Sequence, residues 1–273
     1  MSRARAALQR LLLSTYNTAN RTGLLDTALA ERVFQHSYFA YKRLIEDPFA
    51  RLIKARPAVL AHGDVIDVGA NIGYTATLFA RGIEAPYRVH AFEPEERNFR
   101  WLEHAIARAN LTDRVVANRA AVGSQDGAID LWHNAAHHAD HRIATDQLRA
   151  SVADGAPTQR VPITTIDTYI SRGGWQPVSF IKIDVQGFEP EVLHGMGETI
   201  RRNPEIHVAV ELMPSALEEL GFDPAQFLRE LAVALPRAGV LQRDGSLRTA
   251  SYDTILTTAT HSELGYVDLV CAL

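Results

Sequence analysis

The sequence predicts an α/β protein: a mainly parallel β-sheet with helices on both faces, preceded by a helical extension. Three observations carry that expectation. From residue 64 onward, short β-branched runs alternate with helical segments, the pattern of strands joined by crossover helices. The first of those runs ends in a glycine-rich turn. With 47% apolar residues in a chain of 273, there is also enough hydrophobic material to bury a substantial core in one domain.

Residues 1–60 form the extension. In "RARAALQRLLLSTYN" and "ALAERVFQHSYFAYKRLI" apolar residues recur three and four apart, as on amphipathic helices. Such helices must bury their apolar faces, so the extension is expected to cover the site as a lid or to form the contact of a homo-oligomer. It carries ten Lys and Arg against four Asp and Glu, whereas the whole chain has 28 against 32 and a net charge of -4. The local excess reads as solvated helix faces, with attraction of an anionic substrate or lipid surface as the alternative. No overall basic excess of the kind that tracks phosphates is present, which argues against nucleic acid as a partner. The early apolar run "LLL" is too short for a membrane span or an export signal. The single cysteine, Cys271, excludes an internal disulfide framework and suits a reducing cytoplasm.

Residues 61–273 carry the sheet. The runs "VIDVG", "YRVHAFEP", "RVVANRAAV", "FIKIDVQG" and "IHVAVELM" read as buried strands. Between the third and fourth, "AIDLWHN" and "RVPITTI" read as an extra strand pair carrying a polar loop, inserted at about residues 128–165. After a helix at "DPAQFLRELAVAL", the runs "GVLQRD" and "YVDLVCAL" close the sheet.

The turn "DVGANIG" places Gly69, Ala70 and Gly73 between the first strand and the next helix. Small residues there let the backbone approach a ligand, which the helix N-terminus also faces, and a ligand carrying a nucleoside is expected. The spacing is not the G-x-G-x-x-G of dinucleotide binding. Asp67, standing before the glycines, can accept hydrogen bonds from the loop or meet a cationic amino-acid group, and it is poor company for a pyrophosphate. Glu93 ends the next strand about 20 residues on, where such sheets place a carboxylate for ribose hydroxyls.

Taken in order, "VIDVGANIGYTATLFA", "VHAFEPEERNF", "ANRAAVGSQDG", "VPITTID" and "IKIDVQGFEPEVLHG" resemble the successive motifs of the FkbM-type S-adenosylmethionine-dependent methyltransferases. The resemblance runs over residues 64–213 and covers the two ends of the chain poorly. It implies a Rossmann-like class I methyltransferase fold with a seven-stranded, mainly parallel sheet. It also implies S-adenosylmethionine as cofactor and O-methylation of a small hydroxylated acceptor: a polyketide, a glycoside or a nucleotide-linked sugar. Carried over position by position, Asp67, Gly69, Asn71 and Gly73 would line the methionine portion, Glu93 would hold the ribose, and Ala121 and Val122 would pass the adenine. Gln125 and Asp126 either meet the adenine amino group or make the turn before Gly127. The family often has a glutamate where this chain has Gln186, so a role that needs an acid there is not carried over.

Methyl transfer to a hydroxyl needs the acceptor held in line and its proton removed. Asp184 and Glu211 each follow a near-continuous apolar run, so both emerge at the carboxyl rim of the sheet as catalytic candidates, one taking the proton and the other orienting the acceptor. As hard oxygen ligands they offer an alternative, a Mg²⁺ that binds the acceptor oxygens.

The stretch "WHNAAHHADHRIA" holds four histidines, with His137 and His141 at i, i+4 spacing. It lacks an H-E-x-x-H motif and a cysteine partner, which disfavours zinc. Its polar surroundings read as a surface loop. If that loop overhangs the acceptor pocket, His138 and His141 are candidate bases and Arg142 a candidate contact for an anionic or hydroxyl-rich substrate.

Two other classes stand beside this reading. The glycine spacing disfavours an NAD(P)-dependent oxidoreductase, and the Tyr-x-x-x-Lys pair Tyr38/Lys42 falls in the extension, ahead of the nucleotide loop. A binding protein that keeps the cofactor fold without chemistry would not need both Asp184 and Glu211.

Overall fold

The computed structural model of the chain describes residues 28–42, 48–132, 142–145 and 158–273. Helices α1 (Ala28–Tyr41) and α2 (Phe49–Ala55) precede the first strand. Strand and helix then alternate through β1 (Asp64–Val68), α3 (Tyr74–Gly82), β2 (Val89–Phe92), α4 (Glu96–Arg108) and β3 (Val115–Asn118). Next come β4 (Ala121–Val122), β5 (Gly127–Trp132), β6 (Arg142–Ile143) and β7 (Thr158–Thr164), which make a separate sheet in the order β4-β7-β5-β6. The chain continues through α5 (Ile166–Arg172), β8 (Val178–Ile183), α6 (Glu189–His194), α7 (Gly197–Arg202), β9 (His207–Leu212), α8 (Pro214–Glu219) and α9 (Pro224–Ala234). It closes with β10 (Arg237–Leu241), β11 (Leu247–Thr249), α10 (Tyr252–Thr260) and β12 (Val267–Ala272).

The main sheet runs β11-β10-β12-β9-β8-β1-β2-β3. From β9 to β3 all neighbours are parallel, while β12 lies antiparallel between β9 and β10. The expectation of seven strands is corrected here: among the described residues the sheet has eight and is mixed, though mostly parallel. The additional strand is β11, paired antiparallel with β10 through a tight turn. In that turn Gln242 N donates to Ser246 O at 2.8 Å, Gly245 takes φ 84, and Asp244 Oδ1 accepts the Ser246 amide at 2.9 Å. An Asp-Gly pair between two short strands favours such a hairpin.

Strands β1 and β8 are buried along their whole length, as expected where both faces of a sheet are covered. Ile66, Val68, Ile181, Ile183, Val208 and Val210 fill one face. On the other, Val65, Phe180, Ala209 and Val270 pack against Leu52 of α2 and Phe79 of α3. Each fully buried Ile, Leu or Phe side chain contributes about 1.5–3 kcal/mol relative to exposure.

The pleat has a consequence for polar residues. Side chains two apart share a face, so Asp67, Lys182, Glu211 and Asp268 follow the phase of Val65, Phe180, Ala209 and Val270. Asp67 is the register partner of Lys182, and Glu211 that of Asp268. Four charged residues are thereby set on one face near the carboxyl ends of β1, β8 and β9. There β1 sits between β2 and β8, the switch point at which open α/β sheets take ligands.

Helix α1 is tied down across this end of the sheet. Gln35 Nε2 donates to Trp101 O at 3.0 Å, and Phe34, Tyr38 and Phe39 pack on Ile72 and Trp101. Among the described residues no helix is long and apolar enough to cross a membrane.

Candidate active site

A cleft of about 480 Å³ opens over the ends of β1, β2, β8 and β9, with α1 along its rim. Its floor begins at Gly69, which has φ 79. A Cβ there would stand 1.9 Å from the carbonyl oxygen of Asp184, so the close approach of the β1 and β8 loops itself requires glycine. Asn71 follows at φ 49, a left-handed conformation that asparagine tolerates better than most residues. Gly73, at φ 90, is the residue before α3 and packs on Leu102.

Glu93 extends from the end of β2 beneath this loop. Its Oε2 accepts the Asn71 amide at 2.9 Å and its Oε1 the Glu95 amide at 3.0 Å. Burial pushes its carboxyl up to about 8; the Glu95 amide opposes, the Glu95 charge adds, and the Asn71 amide opposes. Gly69, Asn71, Glu93, Ala121 and Val122 all line the cleft.

Asp67 shares its pleat phase with Lys182, Glu211 and Asp268, which line the cleft, but is itself fully buried and is not part of the lining. Its Oδ2 accepts from Thr75 Oγ1 at 2.6 Å, and its Oδ1 stands 3.9 Å from Lys182 Nζ. Asp67 thus orders the loop. Gly73 likewise does not line the cleft. Asp126 accepts from Thr164 Oγ1 at 2.6 Å and closes the turn before β5, Gln125 is exposed, and neither lines the cleft.

At the other end of the cleft stand Asp184 and Glu211. Lys182 Nζ donates to Asp184 Oδ2 at 3.0 Å. Gln186 Nε2 lies between the two acids, 3.1 Å from Asp184 Oδ1 and 3.2 Å from Glu211 Oε2. The environments split the pair. For Asp184, burial is the largest single influence and works against the charge, but the charges of Lys182 and Lys42 and the hydrogen bonds it accepts together outweigh it, holding the carboxyl below its ordinary value. For Glu211, burial and then the charges of Asp184 and Asp268 push the carboxyl well above it. Burial also opposes the charge on Lys182, but Asp184 and Asp67 more than compensate, so it remains a cation.

The donor set does not fit the Mg²⁺ alternative. Both carboxylates already face N–H donors, an ammonium and an amide nitrogen, where a hard cation needs oxygen. Among the described residues no group of His, Cys, Asp and Glu is arranged to hold a metal. The glycine-loop end of the cleft does fit a polar cofactor: Asn71 Oδ1 is buried without a hydrogen-bond partner among the described residues, an acceptor that a donor on the cofactor would satisfy.

Tyr38 and Lys42, set aside as a pair ahead of the nucleotide loop, do line the cleft once α1 is docked. Lys42 Nζ lies 5.7 Å from the centre of the Tyr38 ring, and its charge lowers the pKa of both Asp184 and Glu211. Lys182 and Asp268 also line the cleft, and no motif singles them out. His138 and His141 lie outside the described residues, and of Arg142 only the backbone, in β6, is described.

The family model of the Methyltransferase FkbM domain matches residues 67–239, the glycine loop through β10. The chain belongs to the FkbM methyltransferase family. No curated protein matches it. Among solved structures it is similar to the methyltransferase FkbM from Methylobacillus flagellatus KT, at 16% identity and TM-score 0.49, over 85% of this chain and 50% of that one. This member of the family therefore spans half the length of that relative. An O-methyltransferase from Bacillus cereus in complex with SAH is 19% identical, with TM-score 0.48, over 95% of this chain and 98% of that one. The O-methyltransferase TomG from Streptomyces achromogenes, involved in tomaymycin synthesis and solved with SAM, is 16% identical, with TM-score 0.43, over 83% and 79%.

Proposed function

We propose that this FkbM-family chain is an S-adenosylmethionine-dependent O-methyltransferase acting on a hydroxyl of a small hydroxylated molecule such as a polyketide, a glycoside or a nucleotide-linked sugar. The observation that carries the reading is the split pair at the strand ends: Asp184, held ionised by Lys182, beside Glu211, whose affinity for a proton is raised. Two carboxylates with opposed shifts divide the work of orienting and deprotonating a hydroxyl.

Bound S-adenosylmethionine would supply an electrophilic methyl group on a sulfonium sulfur. Gly69 and Asn71 would cradle its amino-acid end, Glu93 its ribose, and Ala121 and Val122 its base. Asp184 would accept a hydrogen bond from the acceptor and fix its direction of approach. Glu211, in its ionised form, would take the hydroxyl proton as the oxygen bonds to the methyl carbon and the carbon–sulfur pair returns to sulfur. A carboxylate with raised pKa is the stronger base for this transfer.

The test is calorimetric titration with S-adenosylhomocysteine, with and without Mg²⁺, followed by an acceptor screen scored for methyl ethers. Saturable binding that is indifferent to Mg²⁺, with an ether as product, is the expected result. Failure of the protein to bind the nucleoside in either condition would refute the reading.

A further inference from the structure

Glu189 opens α6 and is only 2% exposed, yet the chemistry proposed above does not use it. Its Oε1 accepts two backbone amides, Val185 N at 3.1 Å and Gly187 N at 3.2 Å. Those amides flank Gln186, which sits at φ 55 and reaches from there to both Asp184 and Glu211. On the opposite side the loop is wedged against α8: Gly187 has φ 103, and a Cβ there would stand 2.3 Å from the Ala216 carbonyl oxygen. A left-handed residue other than glycine persists only where its surroundings over-determine it. Here a buried carboxylate and a helix backbone do so together.

We propose that Glu189 is a positioning residue whose carboxylate holds the 184–189 loop so that Gln186 spans the Asp184–Glu211 pair. The functional weight of this rests on the reading of that pair as the acceptor end; the loop geometry does not. A carboxylate suits the place because it only accepts, so it gathers two amides without burying an unmatched donor, as a glutamine would. Burial pushes its carboxyl up to about 7; the amides of Glu189 itself, Gly187 and Val185 oppose, and the Asp184 charge on the same loop adds. Protonation weakens its hold on the amides, so the loop is expected to sense pH around neutrality.

The experiment follows ¹H–¹⁵N signals of the full chain across neutral pH: the backbone amides of Val185 and Gly187, and the side-chain amide of Gln186. The expected result is one shared transition in the wild type, lost in Glu189→Gln, where the Gln186 side-chain signals also move toward solvent-like positions. Flat Val185 and Gly187 signals, or a Gln186 side chain indifferent to Glu189→Gln, would overturn the proposal. If Glu189→Gln fails to fold, Glu189→Asp, whose shorter side chain draws the carboxylate away from the two amides, is read in its place. Calorimetry of the wild type with S-adenosylhomocysteine is run alongside, so that loss of the methyltransferase reading is told apart from loss of the loop clamp.

Discussion

Asp67 and Lys182 are register partners on β1 and β8, with 3.9 Å between Oδ1 and Nζ. The same ammonium lies 3.0 Å from Asp184 Oδ2, so one buried cation joins the base of the glycine loop to the Asp184–Glu211 end of the cleft. Removing it would strand two carboxylates. Lys182→Met is expected to cost about 3–5 kcal/mol of stability, the range for breaking a buried ion pair, and to weaken nucleoside binding. Denaturant unfolding checks this; a loss below 1 kcal/mol would mean that the acids relax into water.

Gly69→Ala is expected to fail for a reason that lies across the sheet. The new methyl would meet the Asp184 carbonyl oxygen at 1.9 Å from a backbone at φ 79. Destabilisation well above ~1 kcal/mol follows, with loss of S-adenosylhomocysteine affinity. Thermal unfolding and calorimetry on the purified variant would show it.

Glu93 links binding to pH. Its carboxyl, raised from 4.5 to about 8 in the folded chain, holds a proton that the unfolded chain has released. Its contribution to stability is therefore full at low pH and is lost as pH rises from about 4.5 through about 8. Ribose hydroxyls donate best to the ionised form, so affinity for S-adenosylhomocysteine should tighten on raising the pH through 8, and Glu93→Gln should abolish the trend. Calorimetry at a series of pH values measures both.

For Glu211 the expectation is kinetic. Activity, expressed as kcat/KM, should rise with pH as Glu211 ionises, at a pH above the ordinary carboxylate range. Glu211→Gln should lose roughly 10²–10⁴-fold and the acidic limb with it. Asp268→Asn removes the like charge opposite and should move the limb to lower pH.

Lys42 acts on the same limb from the other direction. Lys42→Met withdraws a charge that favours ionisation of Asp184 and Glu211, so the limb should move to higher pH, and Lys42→Arg should largely restore it. An unchanged pH–rate profile in Lys42→Met would show that the lysine is electrostatically idle.

The parallel core was legible because β1, β8 and β9 are nearly continuous apolar runs, and Glu93, Asp184 and Glu211 were legible because each ends or follows one. Strand β11 was not, since "SLRT" is short and polar and only the Asp-Gly turn announces it. Lys182 carried a signal of its own: a lysine inside "FIKID" has to find partners, of which Asp184 stands in the same run and Asp67 lies on a strand 115 positions earlier. The phase shared by the charges in "VIDV", "FIKID", "VAVEL" and "YVDLV" would have grouped them. That Tyr38 and Lys42 line the cleft was not legible, because their place ahead of the loop in sequence says nothing of how α1 folds back over it.

Strand β9 is paired on its outer side by β12, the last strand, and not by β10, which the ribosome makes sooner. A growing chain that has reached β10 still presents a bare β9 edge, and Glu211 still lacks Asp268 opposite it. The cleft is therefore completed only once β12 has been made: a chain stalled before Val267 has its glycine loop but neither a partner on the outer side of β9 nor Asp268 opposite Glu211.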